Sequence, residues 1–320
     1  MSVIAVDFGG TNIKIGIIDK GLVQSVRMIS AESSQGIRPK LAEVKDEVFG
    51  MLQENKLSLA DMTAIGVAIP GIVNSKEKRV ISINKKYSDA IEVDFEAWGK
   101  EAFGLPIMLD NDMNSAIIGE LTYGCAIGET DAVMMSFGTG IGTAAVMDGK
   151  LLRGKHFQAG CLGGHISVDI NGPMCTCGNK GCIEAHAGTW ALPEIARQRD
   201  GFAQSKLAQK EVIDYKSLLE CIEAGDEFSK ELFEYIISCG GAGVVNLIHA
   251  YDPEVVILSG GLMKNKNLVL PYIKKHVEKY AWMPWGKVEL RVAERPDFSV
   301  LLGLSSLCNQ MIEKNEEEKR

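Results

Sequence analysis

Apolar and polar positions follow two rhythms along this chain, and the changes of rhythm mark its elements. Residues 2–7, SVIAVD, form a continuous apolar run closed by an acid, which predicts a buried strand. NIKIGIID (12–19) alternates by two and ends at Lys20-Gly21, so it predicts the second arm of a hairpin. Over 38–56, Leu41, Val44, Val48 and Leu52 recur at helical spacing. AIGVAIPGIV (64–73) predicts a strand broken at Pro70-Gly71, and PIMLDND (106–112) a short buried strand with a polar end. NSAIIGELTYG (114–124) predicts a helix stopped by Gly124.

The second half opens in the same way. DAVMMSFGTG (131–140) predicts a strand entering a glycine turn, and IGTAAVMDGKLL (141–152) a strand, a turn and another strand. Helices are expected over 228–250 and about 265–280, with the strand EVVILSGG (254–261) between them. A last helix is expected over about 299–315, and the polar tail NEEEKR is expected to fray.

Shifting the first strand pair by 129 residues lays Phe8 on Phe137, Gly9 on Gly138 and Asp19 on Asp148. No tandem array follows, so a solenoid is excluded. Two related lobes are expected, of mixed sheets flanked by helices, with a ligand in the cleft between them. The expected division is 1–112 plus 299–320 for the N-terminal lobe, the last helix crossing back, and 113–298 for the C-terminal lobe. A length of 320 residues suits two such cores.

Charge narrows the classes. The net charge is -8 and no basic block offsets it, which argues against nucleic acid as a partner. No uninterrupted apolar run reaches the roughly 18 residues of a membrane span, and the first apolar run lacks a basic flank, so neither a span nor a signal peptide is expected. A cytoplasmic protein is the expectation. Eight cysteines are too sparse for a disulfide scaffold, and three crowd into 175–182, which points to metal.

Several motifs carry chemistry. In Asp7-Phe8-Gly9-Gly10-Thr11, a carboxylate at a strand end can hold Mg²⁺, while Gly9, Gly10 and Thr11 face phosphate; a plain hairpin turn is the alternative. Phe137-Gly138-Thr139-Gly140-Ile141-Gly142 repeats that motif and is not a dinucleotide fingerprint, since a strand follows it. GKLLRGKH (149–156) matches the P-loop spacing but has His156 where Ser or Thr belongs, and is discounted. Asn111-Asp112 ends a buried strand, where Asp112 is either a general base or a helix N-cap. His165 with Cys175, Cys177 and Cys182 makes a closed tetrahedral set suited to structural zinc. The other five cysteines read as core or surface residues. Glu184 is either a hydrogen-bonding partner for a polyol or an exposed acid at a helix start. Ser259-Gly260-Gly261 either lets a flat ring lie on backbone or merely turns the strand into a helix.

Together and in this order these pieces resemble the ROK family of sugar kinases and related repressors. The resemblance runs from residue 3 to the last helix. DFGGTNIKIG is similar to the family's first phosphate motif and FGTGIG to its second. IPG (69–71) resembles its sugar loop, with Asn84 at the expected asparagine, and Tyr87 lies near a position often held by Trp. LDNDMNSAIIGE (109–120) is similar to its catalytic segment, and GH followed by CxCGxxGCxE (164–184) to its zinc signature. Residues 246–261 resemble its adenosine region. The resemblance implies a two-lobed actin-like ATPase (ribonuclease H-like) fold and ATP-dependent phosphorylation of a sugar hydroxyl, usually the 6-hydroxyl. It implies Asp112 as general base, and Gly71, Asn84, Asn111, His165 and Glu184 lining the sugar. It places Asp7 near Mg²⁺, Gly9, Gly10, Thr11, Thr139 and Gly140 on phosphates, and Gly260 and Gly261 near adenosine. It also implies a homodimer.

One position departs from the family pattern. Gly-Glu-x-Gly-His is usual before the zinc cysteines, and here the segment is Cys161-Leu162-Gly163-Gly164-His165. That glutamate grips hydroxyls near the anomeric carbon, which leucine cannot do. A glucoside or disaccharide, whose anomeric substituent packs on Leu162, is therefore expected over free glucose. Repressors of the family carry a helix-turn-helix before the first motif, and only six residues precede Asp7 here. A sugar sensor without kinase activity is the remaining alternative.

Overall fold

The computed structural model describes residues 2–318, and they form two compact units. The first runs through Gly128 and adds Arg153–Ala159 and the segment from Ala293 onward; the second is Glu129–Leu152 with Gly160–Val292.

The first unit opens with β1 (Ser2–Phe8), β2 (Asn12–Asp19) and β3 (Leu22–Ser30), followed by α1 (Arg38–Glu54). Then come β4 (Met62–Ile69), the small hairpin β5 (Ile72–Asn74) and β6 (Arg79–Ser82), α2 (Phe95–Phe103), β7 (Ile107–Asn111) and α3 (Asp112–Tyr123). The main sheet has the order β3-β2-β1-β4-β7. The first two pairings are antiparallel and the last two parallel. β1 is central and buried on both faces, which explains why its apolar run does not alternate. Ile4 and Val6 pack with Ile13, Ile15 and Val44, Val48 and Met51 of α1 on one side.

The second unit has β8 (Ala132–Phe137), β9 (Ile141–Met147) and β10 (Lys150–Leu151). The short helices α4 (Ile183–Ala187) and α5 (Leu192–Arg197) precede α6 (Tyr215–Glu223) and α7 (Glu227–Tyr251). β11 (Val255–Ser259), α8 (Lys266–Tyr280) and β12 (Glu289–Val292) complete it. Its sheet has the order β10-β9-β8-β11-β12, with the same alternation of senses as the first. The internal repeat therefore extends beyond the glycine turns to whole sheets. α7 is long and apolar enough to cross a membrane, but 61% of its apolar stretch is buried. Phe233, Ile237 and Val244 pack there with Phe137 and Ile273, as a core helix does.

The chain ends with α9 (Ser299–Glu317), which belongs to the first unit. It covers the second face of that sheet, Leu301 and Leu304 meeting Ala5, Ile18 and Ala68. α3 stays in the first unit as well, whereas a division after residue 112 assigns it to the second. The reason is a close helix–helix approach: a Cβ on Gly119 would lie 2.0 Å from Ser299 O, and one on Gly303 would lie 1.7 Å from Ser115 O. The polar tail is helical through Glu317, and Lys319 and Arg320 lie outside the described residues.

Candidate active site

In the first unit the site is built around the end of β1. Asp7 is its penultimate residue, and Lys14 stands opposite it on β2. The turn after it needs glycine: a Cβ on Gly9 would lie 2.6 Å from Asn12 O. Tyr87 Oη donates to Gly9 O at 2.8 Å, Ser33 Oγ donates to Gly10 O at 3.0 Å, and Thr11 is exposed.

β7 lies two strands away and delivers Asn111 and Asp112. Asn111 is the N-cap of α3: its Oδ1 accepts from Met113 N at 2.9 Å and Asn114 N at 3.1 Å. Its Nδ2 donates to Gly71 O at 2.9 Å. The capping role open to Asp112 thus falls to Asn111, and Asp112 occupies the first helical position, partly exposed. Burial raises the Asp112 carboxyl above its ordinary range, opposed by the Met113 N–H and the Lys86 ammonium. Burial also raises Asp7 to about 7, the negative charge of Asp112 adds to this, and Lys14 opposes it. Two half-buried acids that repel each other suit a bound cation. The donor set, hard carboxylate oxygen beside a phosphate-type turn, fits Mg²⁺.

Gly71 has φ 123°, where a Cβ would meet Ser82 O at 2.5 Å, so it lets the exit of β4 pass close to β6. Asn84 is exposed in the loop that follows β6. Gly71, Asn111 and Asp112 are brought together, along with Asp7, Gly9 and Gly10, in this unit.

The second unit gathers a matching set. In its glycine turn Gly138 N donates to Gly140 O at 3.0 Å. Thr189 Oγ1 donates to Gly138 O at 2.8 Å, and Trp190 N to Thr139 O at 3.2 Å. Glu184 lies against the same turn: its Oε2 accepts from Ile141 N at 3.0 Å and its Oε1 from Trp190 Nε1 at 3.2 Å. A Cβ on Gly140 would sit 2.3 Å from Glu184 Oε2. Gly260 has φ 93°, and its Cβ would meet Phe137 O at 2.3 Å. β8 and β11 are parallel neighbours, so Thr139, Gly140, Gly260 and Gly261 share the carboxyl edge of one sheet, the usual place for a ligand in such sheets. Thr139 and Gly261 are exposed there.

The cysteine loop leads into Glu184. His165 Nδ1 lies 3.5 Å from Cys175 Sγ, and Cys177 Sγ 3.7 Å from Cys182 Sγ. All four ligand atoms fall within 4.8 Å of one another. Zinc bonds of about 2.3 Å to sulfur and 2.0–2.1 Å to nitrogen set tetrahedral edges of about 3.8 and 3.6 Å, so the set fits zinc. Gly181, at φ 64°, makes the loop possible, since a Cβ there would lie 1.6 Å from Asp169 O. Because Nδ1 faces the cysteines, Nε2 is on the opposite edge of the His165 ring. Leu162 is 37% exposed just before the buried pair Gly163-Gly164.

Three features lie beyond the sequence reading. Asp110 is fully buried and paired with Arg153, which comes from the segment discounted as a P-loop and which no helix follows. Lys14 donates to Asp297 O at 3.0 Å while acting on Asp7. Lys86 lies over Gly10. Spacing predicts none of these, because each joins positions far apart in the chain or depends on loop dihedrals.

The sequence profile of the ROK family matches residues 3–311. The glucokinase of Thermotoga maritima is 27% identical over 98% of this chain and 98% of its own length. A xylose repressor of Bacillus spizizenii is also 27% identical, over 77% of this chain and 61% of its own. A ROK family glucokinase from Streptomyces griseus, solved in complex with glucose and AMPPNP, matches with TM-score 0.79 and 26% identity, covering 97% of this chain and 100% of that one. The fold is the two-lobed actin-like ATPase fold of those kinases. With a profile match across nearly its whole length, this chain belongs to the ROK family.

Proposed function

We propose that this protein is an ATP-dependent sugar kinase. The observation that carries the reading is the acid pair Asp7 and Asp112 beside the first glycine turn, with Asn111 capping α3 so that Asp112 is not needed for that role. Kinases among its relatives, including glucokinases, agree with it.

Asp112 is the general base. It takes the proton of the attacking hydroxyl, the sugar oxygen bonds to the γ-phosphorus, the bond to the β-phosphate oxygen breaks, and ADP leaves. A carboxylate made more basic by burial is a better proton acceptor, provided it is ionised. Mg²⁺ held at Asp7 would supply charge neutralisation on the phosphates. Gly9, Gly10 and Thr11 in the first unit, and Thr139 and Gly140 in the second, would offer backbone or hydroxyl donors to phosphate. Gly261, exposed with open space beside it, would leave backbone open to adenosine, and Gly260 would sit next to it, packed on Phe137. Gly71, Asn84 and Asn111 in the first unit, and His165 and Glu184 in the second, would orient the sugar, with the 6-hydroxyl of a hexose or hexoside as acceptor. Zinc in the closed Cys₃His set would be structural. None of the eight cysteines is in a disulfide, which suits the reducing cytoplasm where ATP is available.

The test is ADP release with ATP and Mg²⁺ across hexoses, amino sugars, ketoses and β-glucosides, for the wild type and Asp112→Ala. Sugar-dependent turnover that the variant loses supports the reading. The same turnover in the variant removes Asp112 from the chemistry. A non-catalytic sugar sensor is the second reading, favoured by Leu162 in place of an acid and by the repressor among the relatives; zinc and ATP binding with no turnover on any sugar would select it.

A further inference from the structure

We propose that the Lys86 ammonium contacts the transferring phosphoryl group: it rests over the first glycine turn, where a Cβ on Gly10 would lie 2.5 Å from its Nζ. The inference rests on the kinase reading above and adds a cation that the family resemblance did not supply.

The placement is specific. A Cβ on Gly10 would lie 2.5 Å from Lys86 Nζ and 2.7 Å from its Cε, so the lysine occupies the space that glycine leaves open. Among the described residues Lys86 forms no salt bridge, and its electrostatic partner is Asp112. Its charge is therefore available to an anion arriving at the turn. Lys14, the other cation near this pair, is already engaged by Asp297.

The loop holds Lys86 in place by unusual means. Lys85 has φ 58° and Tyr87 φ 46°, both left-handed, a conformation costly for residues with a side chain. Tyr87 anchors the loop to the turn on two sides. Its Oη donates to Gly9 O at 2.8 Å, and its N donates at 2.7 Å to the carbonyl of Ser33, whose Oγ in turn holds Gly10 O at 3.0 Å. The Tyr87 ring packs edge-on against Phe8 at 5.7 Å. The loop and the glycine turn thus form one rigid piece, with an ammonium held over the turn and its charge felt at Asp112. A preorganised cation at that point offsets charge on the phosphoryl oxygens without reorganisation during transfer.

The experiment compares wild type, Lys86→Met and Lys86→Arg. Calorimetry gives affinities for Mg²⁺-AMPPNP and Mg²⁺-ADP, and turnover is followed from about pH 6 to about pH 9. In Lys86→Met, AMPPNP affinity is expected to fall about tenfold relative to ADP. Its kcat is expected to fall on the order of 100-fold at every pH, with sugar KM unchanged and partial rescue in Lys86→Arg. Equal AMPPNP-to-ADP affinity ratios in wild type and variant overturn the proposal. So does a kcat loss that vanishes at high pH, which makes Lys86 a positioning residue for the charge of Asp112. Should Lys86→Met fail to fold, Lys86→Gln is measured in the same way. If the wild type phosphorylates no sugar, the kinase reading falls, and the AMPPNP-to-ADP ratio still decides Lys86.

Discussion

Arg153 and Asp110 form an ion pair in which the carboxylate is fully buried and the guanidinium is only 24% exposed. Asp110 Oδ1 also accepts from Asn111 N at 2.8 Å and Asn114 Nδ2 at 2.9 Å. The pair thus sets the strand end that carries Asn111 and Asp112. Removing the arginine leaves an uncompensated buried charge. Arg153→Met is expected to cost about 3 kcal/mol, the low end for a buried pair because Arg153 keeps some solvent. Adding Asp110→Asn should restore most of that loss. Urea unfolding of both single variants and the double variant measures the coupling.

The Asp7–Asp112 pair predicts a stability change with a definite sign. Asp7 titrates at about 7 in the folded chain, against 3.8 unperturbed. Between these values the folded state holds a proton that the unfolded state has lost, so stability falls as pH rises through that window. The effect is on the order of 4 kcal/mol. Asp131 and Asp226, whose carboxyls are lowered, act in the opposite direction, so the readout is wild type against Asp7→Asn. The wild type should lose more stability from pH 4 to pH 7 than the variant. Mg²⁺ should raise the melting temperature of the wild type more at high pH than at low pH.

What the sequence discloses follows from the range of each interaction. β1, β2, β8 and β9 are legible because apolar patterning and a glycine turn are local. β3, LVQSVRMIS, escapes because it is an edge strand whose outward face mixes Leu22, Gln24, Val26 and Met28. The helices α4 and α5 are too short for helical periodicity to register. The cluster of His165 with Cys175, Cys177 and Cys182 is legible from spacing, since three of its members lie within eight residues. Asp112 is ambiguous because Asn111 and Asp112 are both good caps, and only the hydrogen bonds of Met113 and Asn114 decide between them. Arg153 is separated from Asp110 by 43 residues, and Lys86 reaches Gly10 through positive φ at Lys85 and Tyr87; neither leaves a local trace.

If the cysteine loop holds zinc as proposed, that metal should act on the second glycine turn as well as on stability. Cys182 leads directly into α4, whose Glu184 accepts from Ile141 N at the second glycine turn. One zinc per chain is expected, and Cys177→Ser should lower its content. Chelation should lower the melting temperature by about 10 °C, on the order of 3 kcal/mol for a unit of this size. ADP affinity should fall in the zinc-depleted protein even where it remains folded. Metal analysis, a thermal scan and calorimetry check the three parts separately.

Position 162 tests the expected preference for a glycoside over free hexose. It is 37% exposed, and the buried Gly163-Gly164 that follow are packed so tightly that a Cβ on Gly164 would lie 1.9 Å from Ile141 O. The backbone there is fixed, so a substitution at 162 changes chemistry more than geometry. Leucine offers apolar contact and no acceptor, which suits a substituent on the anomeric oxygen better than a free hydroxyl. A charged acceptor on a sugar hydroxyl is worth about 1.5–3 kcal/mol. Leu162→Glu should therefore raise kcat/KM for free hexose relative to a β-glucoside by about 10- to 100-fold. The gain should appear in the ratio even if both activities fall, because burying the new carboxylate affects both substrates. An unchanged ratio would mean that position 162 does not face the anomeric end of the sugar, and the preference for glycosides would lose its physical basis.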